Sequence, residues 1–291
     1  MFSSRDNAST LRVMTYNIRM DTAEDGVNRW SLRKQRVFHL IQQYQSDLIG
    51  VQEALVHQVT DLQAALPLFN WYGVGRDDGK DQGEFSAIFY RRDLFELRDS
   101  GTFWLSETPD QPGSKGWDAA LPRVCTWIKL KDRRNNQTIY HFNTHLDHAG
   151  RVARQQSARL ILARIQAITG STGPTILTGD FNVGPESDAY RTVITNTPFK
   201  DAKHATQSPH HGPSGTWSTF KVRRGIGKRL DYVFVSSQYF NVLRHQHSTY
   251  SENSFYPSDH LPVIADLTFR HFTQDRIRHS FWYPAYRPFY A

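Results

Sequence analysis

The 291-residue chain has one cysteine, Cys125. A lone thiol excludes an internal disulfide and any cysteine-cluster metal site. No apolar run approaches the roughly 20 residues of a membrane-spanning helix. The first ten residues are mostly polar and lack the hydrophobic core of a secretion signal. The chain therefore reads as cytoplasmic, the alternative being a secreted protein already relieved of its signal. No Gly-x-Ser-x-Gly stretch occurs, which argues against a serine-hydrolase nucleophile elbow. No repeat, linker or change of composition interrupts residues 11 to 269. Acidic residues are outnumbered, 28 to 35, and the net charge of +7 tilts the chain weakly toward polyanionic partners.

What is present is organised around Pro174 to Pro185. Thr175-Ile176-Leu177-Thr178 is a short β-rich run that reads as a buried strand. It ends in Gly179-Asp180-Phe181-Asn182, and Gly184-Pro185 forces a turn. Asp180 and Asn182 stand two apart and are expected on one side, with Phe181 turned into packing. Such a pair can align a water and bind a phosphate oxygen or a metal. An Asx turn is the plainer reading of the same residues.

The rest of the chain supplies more strands with polar ends. Leu11 to Ile18 and Asp47 to Glu53 read as central strands, ending near Asn17 and in Glu53. Helical spacing predicts helices over Trp30 to Tyr44, with Ser31 as cap, and over Leu55 to Leu66. Strands are expected over Phe85 to Tyr90, Phe95 to Leu97, Val124 to Leu130, Thr138 to Thr144, Leu230 to Val235 and Leu261 to Phe269. Helices are expected over Arg151 to Thr169 and near Ser187 to Thr195. Trp104 to Pro122 is a long loop whose tryptophans argue against disorder. The pair His210-His211 suggests a second metal site, but lies in a Ser/Pro/Gly loop and reads as solvated. Many strands with few helices predict an α/β fold of two packed sheets with helices outside. Residues 1–10 read as a flexible N-terminus and 11–269 as one domain. The basic, aromatic tail, 270–291, is expected to dock on its own domain, leaving a monomer, or on a partner, giving an oligomer.

Six strand ends or loops carry residues of catalytic type: Asn17, Glu53, His145, Asp180 with Asn182, Asp231, and Asp259 with His260. Strand ends on one sheet edge meet in space. Three Asp and one Glu gathered there require a cation, since buried like charges repel. An oxygen-rich donor set without cysteine selects Mg2+ or Mn2+ over Zn2+. Each residue also has a plain structural reading when taken singly: a satisfied amide, a helix-capping acid, a structural histidine, an edge residue, a turn. Their joint occurrence favours a site.

The motifs Thr15-Tyr16-Asn17-Ile18-Arg19, Leu48 to Glu53, Asn143-Thr144-His145-Leu146-Asp147, Gly179 to Asn182, Leu230-Asp231-Tyr232-Val233 and Ser258-Asp259-His260-Leu261-Pro262 appear in order. In these the chain resembles the endonuclease/exonuclease/phosphatase superfamily, the DNase I-like metallophosphoesterases. Gly83 to Tyr90, Phe103 to Pro109 and Gly116 to Arg123 are further similar to a bacterial and fungal subgroup related to mannosylglucosyl-3-phosphoglycerate phosphatases. The resemblance implies a four-layer α/β sandwich, two packed mixed sheets flanked by helices. It implies Glu53 as principal metal ligand, with Asn17 and Asp259 completing or adjoining the site. Asp180 would orient or deprotonate the attacking water and Asn182 would hold the phosphoryl group. Asp231 would fix the tautomer of His260, which contacts the phosphate or moves a proton. His145 would donate to a phosphate oxygen.

Arg123 and Glu84, in the subgroup stretches, are expected to line the substrate pocket, with Arg123 touching phosphate, a surface ion pair being the alternative. Lys221, Arg223, Arg224, Lys228 and Arg229 precede the Asp231 strand and should rim the site beside Trp217. They would clamp one small anion, track a nucleic-acid backbone with Trp217 stacking a base, or form a solvated loop. The subgroup resemblance favours a small phosphorylated compound over nucleic acid. A binding module that kept the fold without chemistry is the non-enzymatic alternative, marked by no metal-dependent turnover of any phosphoester.

Overall fold

The computed structural model describes residues 10–170, 173–222 and 226–270. The expectations for a flexible start at 1–9 and for the docking of 271–291 fall outside these residues, as do Arg223 and Arg224.

In chain order the elements are β1 (Leu11–Asn17), α1 (Trp30–Tyr44), β2 (Leu48–Gln52), α2 (Val56–Ala65), β3 (Phe69–Tyr72), β4 (Ile88–Arg91), β5 (Phe95–Trp104), β6 (Val124–Asp132) and β7 (Thr138–His145). There follow α3 (Arg151–Thr169), β8 (Thr175–Asp180), α4 (Asp188–Ile194), β9 (Phe199–Asp201), α5 (Ala202–Ala205), β10 (Asp231–Ser236), β11 (Phe240–His247) and β12 (Val263–Phe269). Two six-stranded sheets result, ordered β11-β12-β1-β2-β4-β3 and β5-β6-β7-β8-β10-β9. Each is mixed: β1–β2 and β7–β8 are parallel, their neighbours antiparallel.

Period-two alternation explains the layers. In β1, Leu11 and Val13 join a cluster with Leu48, Ile139, Ile176 and Val233 between the sheets. Met14 and Tyr16 face the other way, against Val37, Leu40 and Ile41 of α1 and Val59 and Leu62 of α2. Phe142, Leu177 and Phe234 face Ala158, Ile161 and Ile165 of α3. The order helix, sheet, sheet, helix is the expected four-layer sandwich. Each such aliphatic side chain, fully buried, stabilises the fold by about 1.5–3 kcal/mol.

Several local expectations are corrected. Ser31 is not the cap of α1; it lies inside the helix, after Trp30. The first turn is held instead by Asp21, whose Oδ1 accepts from Trp30 N at 3.2 Å. The strand expected from Phe85 begins at Ile88, because Phe85 pairs singly with Ala54 and Gly75. β3, β9 and β11 were not anticipated. β11 is bulged between Val242 and Arg244, which disrupts the alternation that marks a strand. The long loop between β5 and β6 is tied down: Trp104 Nε1 donates to Arg76 O at 2.6 Å. Among the described residues, no helix is long and apolar enough to cross a membrane.

Candidate active site

The layer between the sheets changes character along its length. On β1 the inward residues run Leu11, Val13, Thr15, Asn17; on β7 they run Ile139, His141, Asn143, His145; on β8, Ile176, Thr178, Asp180. One end is hydrocarbon and the other polar. In the middle, Gln52 Nε2 donates to Asn143 Oδ1 (2.7 Å) and Thr15 Oγ1 (3.0 Å), and Thr178 Oγ1 donates to Asn143 Oδ1 (3.0 Å). Asn143 Nδ2 donates to Val51 O across the sheets at 2.9 Å. A Cβ on Gly50 would stand 2.4 Å from Asn143 Oδ1 and 2.5 Å from Thr178 Oγ1, so glycine permits this approach.

Strand register then assembles the polar edge. His145 pairs with Asp180 across β7–β8, and Asp180 with Asp231 across β8–β10, so the three stand in one row. Asp180 is the hub. Its Oδ2 accepts from Asn17 Nδ2 at 2.9 Å and lies 3.6 Å from His145 Nε2 and 3.7 Å from His260 Nε2. Its Oδ1 accepts from Asn182 N at 2.8 Å. That is the Asx turn, and it coexists with the site instead of replacing it. Asn182 sits at φ 53°, so it leaves the strand direction, and period two is not what aims it. Its amide reaches the His145 ring, 2.9 Å from Nε2, and donates to Leu146 O at 2.9 Å. Phe181 is fully buried against Tyr232 and Phe234, as expected.

Asn17 Nδ2 also donates to Glu53 Oε1 at 2.8 Å, bridging Glu53 and Asp180. Asn17 Oδ1 is taken by Arg19 N (3.0 Å), so the amide offers these carboxylates its nitrogen. Glu53 Oε2 accepts from Met20 N (3.2 Å) and lies 3.7 Å from Arg19 Nη1. Glu53 and Arg19 both adopt left-handed backbone, at φ 61° and 58°, a strain that functional sites tend to hold. Asp259 is half-buried. Its neighbour Ser258 ties it to β1 through Ser258 Oγ, which donates to Asn17 O at 2.7 Å.

Two histidines flank Asp180, and their pKa values are shifted in opposite directions. His260 Nδ1 meets Asp231 Oδ2 at 2.8 Å. Burial works against its charge, but Asp231 and Asp180 outweigh burial and hold its pKa well above the ordinary value. Burial, aided by the Arg123 guanidinium, lowers His145 to about 3. Arg123 Nη1 lies 3.0 Å from His145 Nδ1. A guanidinium and an amide nitrogen only donate, so Arg123 Nη1 and Asn182 Nδ2 stand as donors at the two ring nitrogens of His145, and the neutral ring accepts from one of them. Burial and neighbouring Asp231 raise the pKa of Asp180.

Arg123 and Glu84 are not a surface ion pair; both are buried beneath His145. Glu84 Oε2 is 3.5 Å from His145 Nδ1 and 3.7 Å from Arg123 Nη1, and accepts from Arg76 Nη1 at 2.6 Å. Trp217 is 43% exposed and bridges to the backbone of His260, an open aromatic face at the site's rim. The basic loop is thinner than expected. Lys221 and Lys228 are exposed, but Arg229 is buried, paired with Asp201 and stacked 4.4 Å over Tyr232.

Three supports were not singled out in the sequence. Arg33 donates to Ile18 O (2.5 Å), Arg19 O (2.6 Å) and Pro257 O (3.1 Å), stapling the β1 exit to the segment before Ser258. Its signal was a charged residue on the apolar stripe of α1. Asp147 accepts from Gly150 N (2.7 Å), Ala149 N (3.0 Å), Ala120 N (3.1 Å) and Arg123 Nε (3.4 Å). Arg76, in the glycine-rich loop, carried no local signal.

A cation fits the donor chemistry here. Donor atoms of Glu53, His145 and Asp180 lie within 4.8 Å of one another, and those of Asp180, Asp231 and His260 likewise. The carboxylates supply hard oxygen ligands.

Known proteins resemble this chain over most of its length. The profile of the Endonuclease/Exonuclease/phosphatase family matches residues 14–260. A solved Bacteroides vulgatus endonuclease/exonuclease/phosphatase is 41% identical, with TM-score 0.84, covering 90% of this chain and 99% of that one. A Bacteroides thetaiotaomicron mannosyl-6-phosphatase is 38% identical, with TM-score 0.85, over 89% of this chain and all of its own. Xenopus laevis Nocturnin is 25% identical over 304 residues, 92% of this chain and 74% of its own length.

Proposed function

The chain belongs to the endonuclease/exonuclease/phosphatase family, and from that premise we propose that it is a Mg2+- or Mn2+-dependent phosphatase of a small phosphorylated compound, such as a sugar phosphate. The observation that carries the reading is the convergence on Asp180 of Asn17, His145 and His260. Glu53 would lead the ligands of the cation, with Asp259 adjoining, while Asn17 braces the carboxylates through its amide nitrogen. Bound there, the metal would polarise the phosphoryl group and stabilise the leaving oxygen.

The protein's own groups divide the remaining work. Asp180, its basicity raised by burial and Asp231, orients the attacking water and takes its proton. Asn182 and the neutral ring of His145 hold phosphoryl oxygens. Charged His260, fixed at Nδ1 by Asp231, faces the phosphate and stabilises its charge or supplies a proton to the leaving group. The water–phosphorus bond forms as the ester bond breaks, and the alcohol departs protonated. Arg123 is committed to His145, Glu84 and Asp147, so we assign it to positioning His145 instead of meeting phosphate. We take the monomer as the working unit.

Two observations favour a small substrate: the mannosyl-6-phosphatase likeness, and the burial of Arg229, which leaves fewer cations to track a polyanion. Nucleic acid is the alternative. Turnover of sugar phosphates and of single- and double-stranded DNA and RNA, with Mg2+ or Mn2+ and with chelator, decides. We expect monoester hydrolysis that chelation abolishes, with a shallow salt dependence. Nuclease activity with a log–log salt slope near the number of phosphates contacted, and no monoester turnover, would reverse the choice of substrate. Full activity in chelator would remove the metal.

A further inference from the structure

Three imidazoles meet away from the Asp180 edge. β11 borders the first sheet, and the segment 206–211 runs alongside it: Gln207 N donates to Val242 O (2.9 Å), His211 N to His245 O (3.1 Å) and His247 N to His211 O (3.0 Å). His245 and His247, two apart, face one side. His210, expected to be solvated, instead packs against both. Its ring centre is 5.0 Å from that of His245 and 4.5 Å from that of His247. Gly212 makes the approach possible: it sits at φ 99°, and a Cβ there would stand 2.1 Å from His247 O.

The nitrogens can be assigned one by one. His210 Nε2 lies 3.0 Å from Pro213 O, to which it donates, so its Nδ1 carries a lone pair. That Nδ1 accepts from His245 Nδ1 at 2.9 Å, so His245 Nε2 carries a lone pair. His247 Nδ1 donates to Pro213 O (2.8 Å) and Gly215 O (3.1 Å), so its Nε2 carries a lone pair. His247 Nε2 and His245 Nε2 are buried without any hydrogen-bond partner, in residues at most 1% exposed. Buried ring nitrogens without partners are uncommon and call for an explanation. His210 and His247, whose other N–H is given to a carbonyl, are arranged as metal-binding histidines are.

We propose that His210, His245 and His247 form a second metal site, which takes a borderline transition-metal ion, Zn2+ foremost. One nitrogen from each ring lies within 4.8 Å of the others. An all-imidazole set suits Zn2+ over Mg2+, which prefers oxygen, so this site and the carboxylate edge select different ions. Three protein ligands leave a fourth position for water, reached past half-buried His210. Burial lowers the pKa of all three rings, keeping them in the neutral form that binds metal. Lys203 and Arg229 lie near and oppose a cation, although Arg229 is neutralised by Asp201. The chain runs on from Pro213 and Gly215 to Thr216, whose carbonyl accepts from Leu261 N at 2.7 Å. A bound ion would thus tie β11 to the backbone beside His260.

The test uses the whole protein, stripped by chelator and returned to excess Mg2+ so that the carboxylate edge is filled. Titration with Co2+ should give one tight equivalent and the visible absorption of a nitrogen-bound ion, and Zn2+ should raise Tm. His210→Ala should weaken that binding by about 100-fold or more and cancel the rise in Tm. Equal affinity in the variant, or no binding to the wild type in the micromolar range, would overturn the proposal. If His210→Ala does not fold, anomalous scattering at the zinc edge from wild-type crystals decides. A peak among the three rings supports the site; zinc at the carboxylate edge alone, or nowhere, rejects it.

Discussion

Arg123 holds its Nη1 3.0 Å from His145 Nδ1 and so helps to fix the ring whose Nε2 stands 3.6 Å from Asp180. If Arg123 acts only through His145, the two cannot contribute independently. His145→Ala should lower kcat by about 100- to 1,000-fold, as loss of a transition-state donor does. Arg123→Ala should cost about 10- to 100-fold, mostly in kcat. The double variant should be no worse than His145→Ala. Losses that multiply would show that Arg123 has a role of its own, such as touching phosphate.

Asp231 and His260 form the second coupled pair. Asp231 Oδ2 meets His260 Nδ1 at 2.8 Å, and both residues are buried. Asp231→Asn and His260→Ala should each reduce turnover by at least about 100-fold. Steady-state kinetics on the preferred phosphoester measures both. A harmless Asp231→Asn beside an inactive His260→Ala would reject the orienting role of the carboxylate.

Asp147 links stability to pH. Burial alone would raise its pKa, but the N–H groups of Gly150, Ala120 and Ala149, with Arg123, hold it well below the ordinary carboxylate value. A pKa depressed in the folded state means the unfolded chain binds the proton more readily. The ionised group's stabilisation is therefore complete above the unfolded value of about 3.9 and is lost as pH falls toward the folded value. Asp147→Asn should be destabilised at neutral pH, and the gap from wild type should close on acidification. Urea melts across that range measure it; a gap that widens in acid would contradict the assignment.

Gly50 is a steric prediction. A Cβ there would stand 2.4 Å from Asn143 Oδ1 and 2.5 Å from Thr178 Oγ1, side chains locked by the bonds across the sheets. Gly50→Ala should destabilise the fold by about 1–3 kcal/mol, the usual cost of overpacking. Gly26→Ala, with open space around its Cβ but φ 53°, is the comparison for backbone strain alone. Equal and small losses in both would mean that the sheets yield at Gly50.

The elements legible in advance were those whose signals are local. The bounds Trp30–Tyr44 for α1 and Arg151–Thr169 for α3 agree with the sequence reading, because an apolar stripe at helical spacing needs no distant partner. Strands buried on both faces were found by their β-branched runs, though their ends shifted. β11 escaped, because its bulge and its histidines hide the alternation. The polar strand ends were legible too. Asn17, Glu53 and Asp180 stand where an apolar run stops, and Asp231 and His260 where one starts, each a local break in pattern.

By itself, then, the sequence determined two packed sheets and an edge of carboxylates, amides and histidines, because period and polarity are properties of neighbours in the chain. Only the tertiary structure decided what each polar group is for. Arg229 had the same local character as Lys228, yet pairing with Asp201 buried it while Lys228 remained exposed. His210 read as a solvated loop residue until β11 brought two histidines, 35 and 37 positions away, against its ring. Arg33 became a staple because Pro257, 224 residues on, places a carbonyl within 3.1 Å. A buried polar side chain takes its role from the partner that satisfies it, and that partner is chosen by the packing of elements far apart in the chain.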